Sequence, residues 1–99
     1  MRFILPLTFH KERAQPLSDI IDDKADVFLT SKTPVEVNVS VMTSRGLAFI
    51  EKTTITDAPF KVPYEPPWGL DWSVLQLTNL KQVSEVEEPV EILLTIEAK

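Results

Sequence analysis

The segment that most constrains the fold is 35–41, in which apolar and polar residues alternate strictly. Four valines occupy every second position, and Glu36, Asn38 and Ser40 lie between them. A period of two places the valines on one side of an extended chain and the polar side chains on the other. β-branched side chains also pack well on a pleated surface. The segment therefore predicts a strand with one buried face that opens after Pro34, because proline is tolerated at the start of a strand.

A second strand is expected to pair with the first as an antiparallel hairpin. Residues 43–46 carry turn chemistry, since Gly46 can adopt a positive φ without steric cost. Residues 47–56, which follow, are rich in β-branched and apolar types. We therefore predict a hairpin formed by residues 35–43 and 47–56.

Four further strands are predicted from alternation or from their content of β-forming residues. In the first of them, Pro6 lies on the face opposite Phe3, Leu5, Leu7 and Phe9, and it indicates an edge strand or a bulge because proline cannot donate to a ladder. Pro89 marks the start of the last. The four segments are residues 3–9, 26–31, 72–78 and 90–97.

Three segments predict other structure. Residues 18–25 and 79–86 favour short helical turns with Ser18 and Asn79 as N-caps, and Leu80 and Val83 would then face inward. For 79–86 an irregular strand or a loop is the alternative. Residues 57–71 hold four of the eight prolines and one of the two glycines, which favours an extended arm or long loop across the domain.

These elements predict the fold class. The 99 residues fit a single domain spanning residues 1–99. We expect an all-β fold, a small antiparallel β-sandwich or partly open barrel of about six or seven strands, with one or two short helical turns. An α+β fold is the alternative if either helical turn proves longer.

The composition argues against an enzyme and against a cofactor. The chain has no cysteine, one histidine and two glycines, so it lacks thiolate ligands and a glycine-rich phosphate loop. His10 is interpreted as a polar residue at a strand end, because no nucleophile elbow accompanies it. We interpret two clusters of carboxylates as solvated surface rather than as a metal site or a catalytic pair. They are Asp19, Asp22, Asp23 and Asp26 in one group, and Glu85, Glu87 and Glu88 in the other.

The charge argues against nucleic acid as a partner. The formal net charge is −5, and the whole acidic excess lies in residues 51–99. An acidic chain repels phosphate backbones. No apolar stretch reaches the roughly 18–20 residues of a membrane helix, and the N-terminal apolar run is too short for a signal peptide. We expect a protein made in the cytoplasm that stays soluble, without a membrane partner.

An aromatic group is the strongest indication of function. Four aromatic residues lie within thirteen positions and are interleaved with prolines. Aromatic side chains are enriched at interface hot spots because they bury a large area with few rotatable bonds. The predicted partner-binding residues are Phe60, Tyr64, Pro66, Pro67, Trp68 and Trp72. The alternative is that the aromatic side chains only pin the proline-rich arm onto its own domain, with Trp72 as the first candidate for the core.

Two functions from different classes follow. The first hypothesis is a non-enzymatic assembly protein, a small accessory subunit that decorates or cements a larger complex such as a virion and belongs to an oligomer. The alternative is a binding module for a carbohydrate or another small ligand, with Tyr64, Trp68 and Trp72 as a stacking platform.

Overall fold

Eight β-strands form the protein in the computed structural model, which describes residues 2–17, 25–62, 73–80 and 89–98. No helix occurs within these ranges. The strands are β1 (Arg2–Phe9), β2 (Glu12–Pro16), β3 (Ala25–Thr30), β4 (Val35–Thr43), β5 (Gly46–Ile55), β6 (Phe60–Val62), β7 (Ser73–Asn79) and β8 (Val90–Ala98).

The strands form two four-stranded antiparallel sheets. The first sheet has the order β1-β8-β3-β6, and the second has the order β2-β7-β4-β5. The pairs β1 with β8, β2 with β7, β3 with β6 and β4 with β5 are all present. The chain is therefore one long hairpin, turned at residues 43–46, whose successive segments alternate between the sheets. This arrangement is the topology of an eight-stranded jelly roll, a kind of β-sandwich.

Strands from the two halves of the chain alternate within each sheet. In both sheets, strands from β1–β4 alternate with strands from β5–β8. Each described ladder therefore joins a strand that precedes the 43–46 turn to a strand that follows it. Among these described ladders, only β4–β5 joins strands close in sequence, so the others are all built from distant segments.

The core lies between the two inner sheet faces, and the alternation in the sequence supplies it. Val37, Val39 and Val41 of β4 are fully buried, and their polar neighbours point away from the core. The alternating residues of β1, β3, β7 and β8 meet them from the other strands. The remaining buried apolar residues are Leu7, Phe9, Leu17, Val27, Leu29, Val35, Ile55, Val62, Leu75, Leu77, Ile92, Leu94 and Ile96.

The turn between β4 and β5 is held by its own residues. The Thr43 hydroxyl donates to the Gly46 carbonyl at 2.8 Å and accepts from the Arg45 amide at 3.2 Å. Gly46 has a φ of 110°, in the range that disfavours side chains with a Cβ. A register shift between Val41 and Met42 places one extra residue, Ala48, in β5, which forms a β-bulge close to the turn.

The crossing from the first sheet to the second takes only two residues. β1 ends at Phe9 and β2 begins at Glu12, so the chain bends at His10 and Lys11. The backbone amide of Asn79 donates to the Lys11 carbonyl at 2.7 Å, and its side-chain amide donates to the His10 carbonyl at 3.1 Å. β7 thus fixes the bend that carries the edge of one sheet into the edge of the other.

The expected all-β fold is confirmed, and the sandwich rather than a closed barrel is the form it takes. The predicted 35–43 and 47–56 hairpin is present as β4 and β5, and the predicted edge position of the strand with Pro6 is correct. The strands β2 and β6 were not predicted. β6 lies within the 57–71 segment, as an edge strand.

Of the two predicted helical turns, the structure describes only residues at their ends. Asn79 ends β7, and Leu80 is 44% exposed instead of facing inward. Ala25 begins β3. Residues 18–24 and 81–86, which include Val83, lie outside the described residues.

Candidate functional site

The outer face of the second sheet carries a line of apolar side chains that crosses all four strands. Pairing puts Pro16 of β2 beside Val74 of β7, Val74 beside Met42 of β4, and Met42 beside Leu47 of β5. Residues directly opposite each other in an antiparallel pair share one face. Val41 on the same strand points into the core, so this row points to the outside.

The next row on the same face is apolar only at its two edges. It consists of Ala14, Gln76, Ser40 and Ile50, in strand order. Leu47 is 52% exposed and Ile50 is 56% exposed, which are the two highest values among the exposed large apolar side chains. We call Pro16, Val74, Met42, Leu47, Ala14 and Ile50 together the apolar patch. It lies at the end of the sheet nearest the β4–β5 turn.

A third row is polar and carries one charge at each edge. Its members are Glu12, Thr78, Asn38 and Lys52. Glu12 and Lys52 are exposed and lie three strand spacings apart, roughly 14 Å. Within the described ranges neither forms an ion pair. Along the strands, the outer face of the second sheet thus changes from an apolar end to an end that carries opposite charges on its two edges.

The first sheet presents a different outer face. Its end near Arg2 is charged: Arg2 Nε lies 3.5 Å from Glu97 Oε1, and Lys61 Nζ lies 3.4 Å from Asp26 Oδ1. The next row alternates apolar and polar side chains, in the order Ile4, Thr95, Phe28 and Lys61. An apolar row across all four strands is therefore a property of the second sheet.

The predicted partner-binding residues fall mostly outside the described part of the chain. Phe60 begins β6, pairs with Leu29 and is half-buried against the core. Only the exposed part of the Phe60 side chain is accessible to a partner. The other five, Tyr64, Pro66, Pro67, Trp68 and Trp72, lie outside the described residues, so their role stays a prediction.

Of the side chains considered for chemistry, the structure describes His10 and Asp26, which lie on separate elements. His10 is exposed at the β1–β2 bend, and Asp26 is paired with Lys61 on the first sheet. Across residues 2–17, 25–62, 73–80 and 89–98, no group of three His, Asp or Glu side chains could hold a metal ion. The other carboxylates weighed above, Asp19, Asp22, Asp23, Glu85, Glu87 and Glu88, lie outside these ranges.

The apolar patch was missed from the sequence, although one signal was available. Residues 47–50 read Leu-Ala-Phe-Ile. In a strand, four consecutive apolar residues cannot all face the core, so some of them must lie on the outer face. Pro16, Met42 and Val74 carry no such signal, because only the long-range register places them next to this run.

No protein-family model, no curated protein and no solved structure matches this chain. In the described part of the chain, no helix is long and apolar enough to span a bilayer.

Proposed function

We propose that the protein is a non-enzymatic assembly subunit, a small accessory component of a larger complex such as a virion, which acts through the outer face of its second sheet. The observation that carries this proposal is the unbroken row Pro16, Val74, Met42 and Leu47, with Ile50 beside it. A contiguous exposed apolar patch that is rimmed by polar residues is typical of a protein–protein contact.

The surroundings of the patch support contact rather than catalysis. It rests on a rigid platform, because the strands beneath it are pinned by the buried residues of β4 and β7. The polar side chains that lie between Ala14 and Ile50 are Ser40 and Gln76, and neither lies beside a described histidine or carboxylate in the same row. Such a surface offers shape and apolar area to a partner but no group that would transfer a proton.

The topology is compatible with this role. Jelly rolls build many viral capsid domains, and they also build lectins and cupins. A fold of this kind is therefore compatible with an assembly role and with other roles. The feature that favours the assembly role is the apolar patch.

Site-specific photo-crosslinking tests the proposal. A diazirine-bearing amino acid at position 50, on the patch, should give a discrete protein adduct in the native source. The same probe at position 91, on the outer face of the first sheet, should not give that adduct. Leu47→Ser should abolish the adduct at position 50 if the patch forms the contact, and an adduct at position 50 that survives Leu47→Ser would contradict the proposal.

The alternative function, carbohydrate binding, is favoured by the occurrence of the same topology in lectins. Its proposed platform is Tyr64, Trp68 and Trp72. Titration of the full chain with a panel of glycans, read by tryptophan fluorescence, separates the two functions. Saturable quenching that persists in the Leu47→Ser variant would favour the carbohydrate module over assembly through the patch.

A further inference from the structure

The three rows of the outer face are complementary to a second copy of the same face. We propose that the protein forms a two-fold symmetric homodimer in which the second sheets of two copies pack face to face. This inference rests on the proposed function, and it names the partner of the apolar patch as another molecule of this chain.

The direction of the two-fold axis follows from the gradient along the strands. A two-fold axis that lies in the interface and runs perpendicular to the strands would place the apolar end of one face opposite the charged end of the other. The apolar row with Met42 and Leu47 would then meet the charged row with Glu12 and Lys52, and the charges would lose water without a partner. An axis parallel to the strands keeps each row opposite its own counterpart. It also keeps the strands of the two sheets aligned, as in ordinary face-to-face packing.

An axis parallel to the strands and centred between β7 and β4 exchanges the edges of the sheet. β2 of one copy then faces β5 of the other, because these strands are the two edges of the order β2-β7-β4-β5. Glu12 lies on β2 and Lys52 lies on β5 of the same row. Each Glu12 therefore faces the Lys52 of the second copy, and the symmetry forms this ion pair twice.

The remaining positions match in the same way. Pro16 faces Leu47 and Val74 faces Met42 in the apolar row, and Ala14 faces Ile50 in the next. The polar positions also meet: Gln76 faces Ser40, and Thr78 faces Asn38. Each of these two pairs brings a hydrogen-bond donor opposite an acceptor. Under this axis no apolar residue of the three rows faces a charge.

The size of the face limits the strength of the dimer. Four strands and five residues cover about 19 Å by 17 Å, or about 320 Å² of flat area for each copy. A stable interface buries about 800 Å² for each partner, so this contact belongs to the weak, reversible class. The dimer should therefore dissociate on dilution and be populated at high micromolar concentrations or by attachment to a larger assembly.

Sedimentation equilibrium on the full chain, with a charge-swap series, tests the pairing. Glu12→Lys alone and Lys52→Glu alone each place like charges opposite each other at two symmetric positions. Each should raise the dimer dissociation constant about tenfold. The double variant Glu12→Lys/Lys52→Glu restores opposite charges and should return the constant to within about twofold of the original. Glu91→Lys and Lys32→Glu, exposed and outside the face, are the matched controls and should leave it unchanged.

The outcomes separate this inference from the proposed function. Recovery in the double variant supports the dimer, and a double variant as weak as the single variants overturns the pairing. A chain that stays monomeric at millimolar concentration overturns the dimer. A position-50 crosslink to a different protein would then leave the assembly function standing, whereas no adduct at all would remove both. Circular dichroism of each variant shows that the comparison is between folded proteins.

Discussion

The side-chain amide of Asn79 donates a hydrogen bond to the backbone carbonyl of His10 at 3.1 Å, across 69 positions of sequence. This bond holds the bend between β1 and β2 against the end of β7. Asn79 is 9% exposed, so truncating it removes this donor from a largely buried side chain. We expect Asn79→Ala to lower the free energy of unfolding by about 1–3 kcal/mol.

The same pair supplies its own control. The acceptor on His10 is its main-chain carbonyl, and its imidazole is exposed. His10→Ala should therefore change the stability by less than about 0.5 kcal/mol. Urea denaturation measures the free energy of unfolding of both variants. Equal losses of this free energy in the two would show that the bend depends on the imidazole.

Gly46 should resist substitution for a conformational reason alone. Its φ is 110°, and a Cβ added there would meet nothing within 4 Å. Gly46→Ala should cost about 1–3 kcal/mol of unfolding free energy, because the backbone conformation is strained for any residue with a Cβ. Ser44→Ala, in the same turn and without a positive φ, is the comparison. A Gly46→Ala variant as stable as the parent would mean that the turn relaxes to another type.

Leu77 and Leu80 allow the stability contribution of a buried leucine to be compared with that of an exposed one. Leu77 is fully buried in β7, and Leu80 just beyond the strand is 44% exposed. We expect Leu77→Ala to lose about 2–5 kcal/mol because it leaves a cavity in the core. Leu80→Ala should lose less than about 1 kcal/mol. Thermal or urea unfolding measures both, and a large loss at Leu80 would reveal a contact that its exposure does not suggest.

Folding should be slow, and it should start from the β4–β5 hairpin, which is the only one of the described ladders that joins strands close in sequence. Proteins dominated by non-local pairing fold in milliseconds to seconds. Ile55 in β5 and Ile92 in β8 are both fully buried, so Ile→Val makes the same deletion at each. Ile55→Val should slow refolding, and Ile92→Val should chiefly speed unfolding.

Stopped-flow chevron plots of these two variants provide the measurement. Each substitution should cost about 0.5–1.5 kcal/mol, so the φ-value is usable where the loss exceeds about 0.6 kcal/mol. A refolding rate that falls more for Ile92→Val than for Ile55→Val would place the nucleus at the β1–β8 ladder instead.

The strands with one buried face could be predicted because their alternation survives in the sequence. The valines of β4 and the apolar residues Ile92, Leu94 and Ile96 of β8 are buried as that pattern requires. β2 could not be predicted, since its sequence Glu-Arg-Ala-Gln-Pro has no apolar alternation and it lies at an edge. β6 has only three residues, and its position beside β3 depends on the long-range register.

The candidate site was less predictable than the strands. Met42 and Val74 lie 32 positions apart in the sequence, and they become neighbours only through the β4–β7 register. The aromatic segment attracted attention because its composition is unusual. Apart from the apolar run 47–50, the residues of the apolar patch have no such local mark, so identifying the patch requires the strand order first.

The alternation of the two chain halves within each sheet has a consequence for biosynthesis. A ribosome releases residues 2–43 before their partners exist, and this first half contains none of the described ladders by itself. During that interval four strand segments must remain unpaired without joining those of neighbouring nascent chains. If the chain is cut between Ser44 and Arg45, the two fragments should each be unfolded in isolation and gain structure only when mixed.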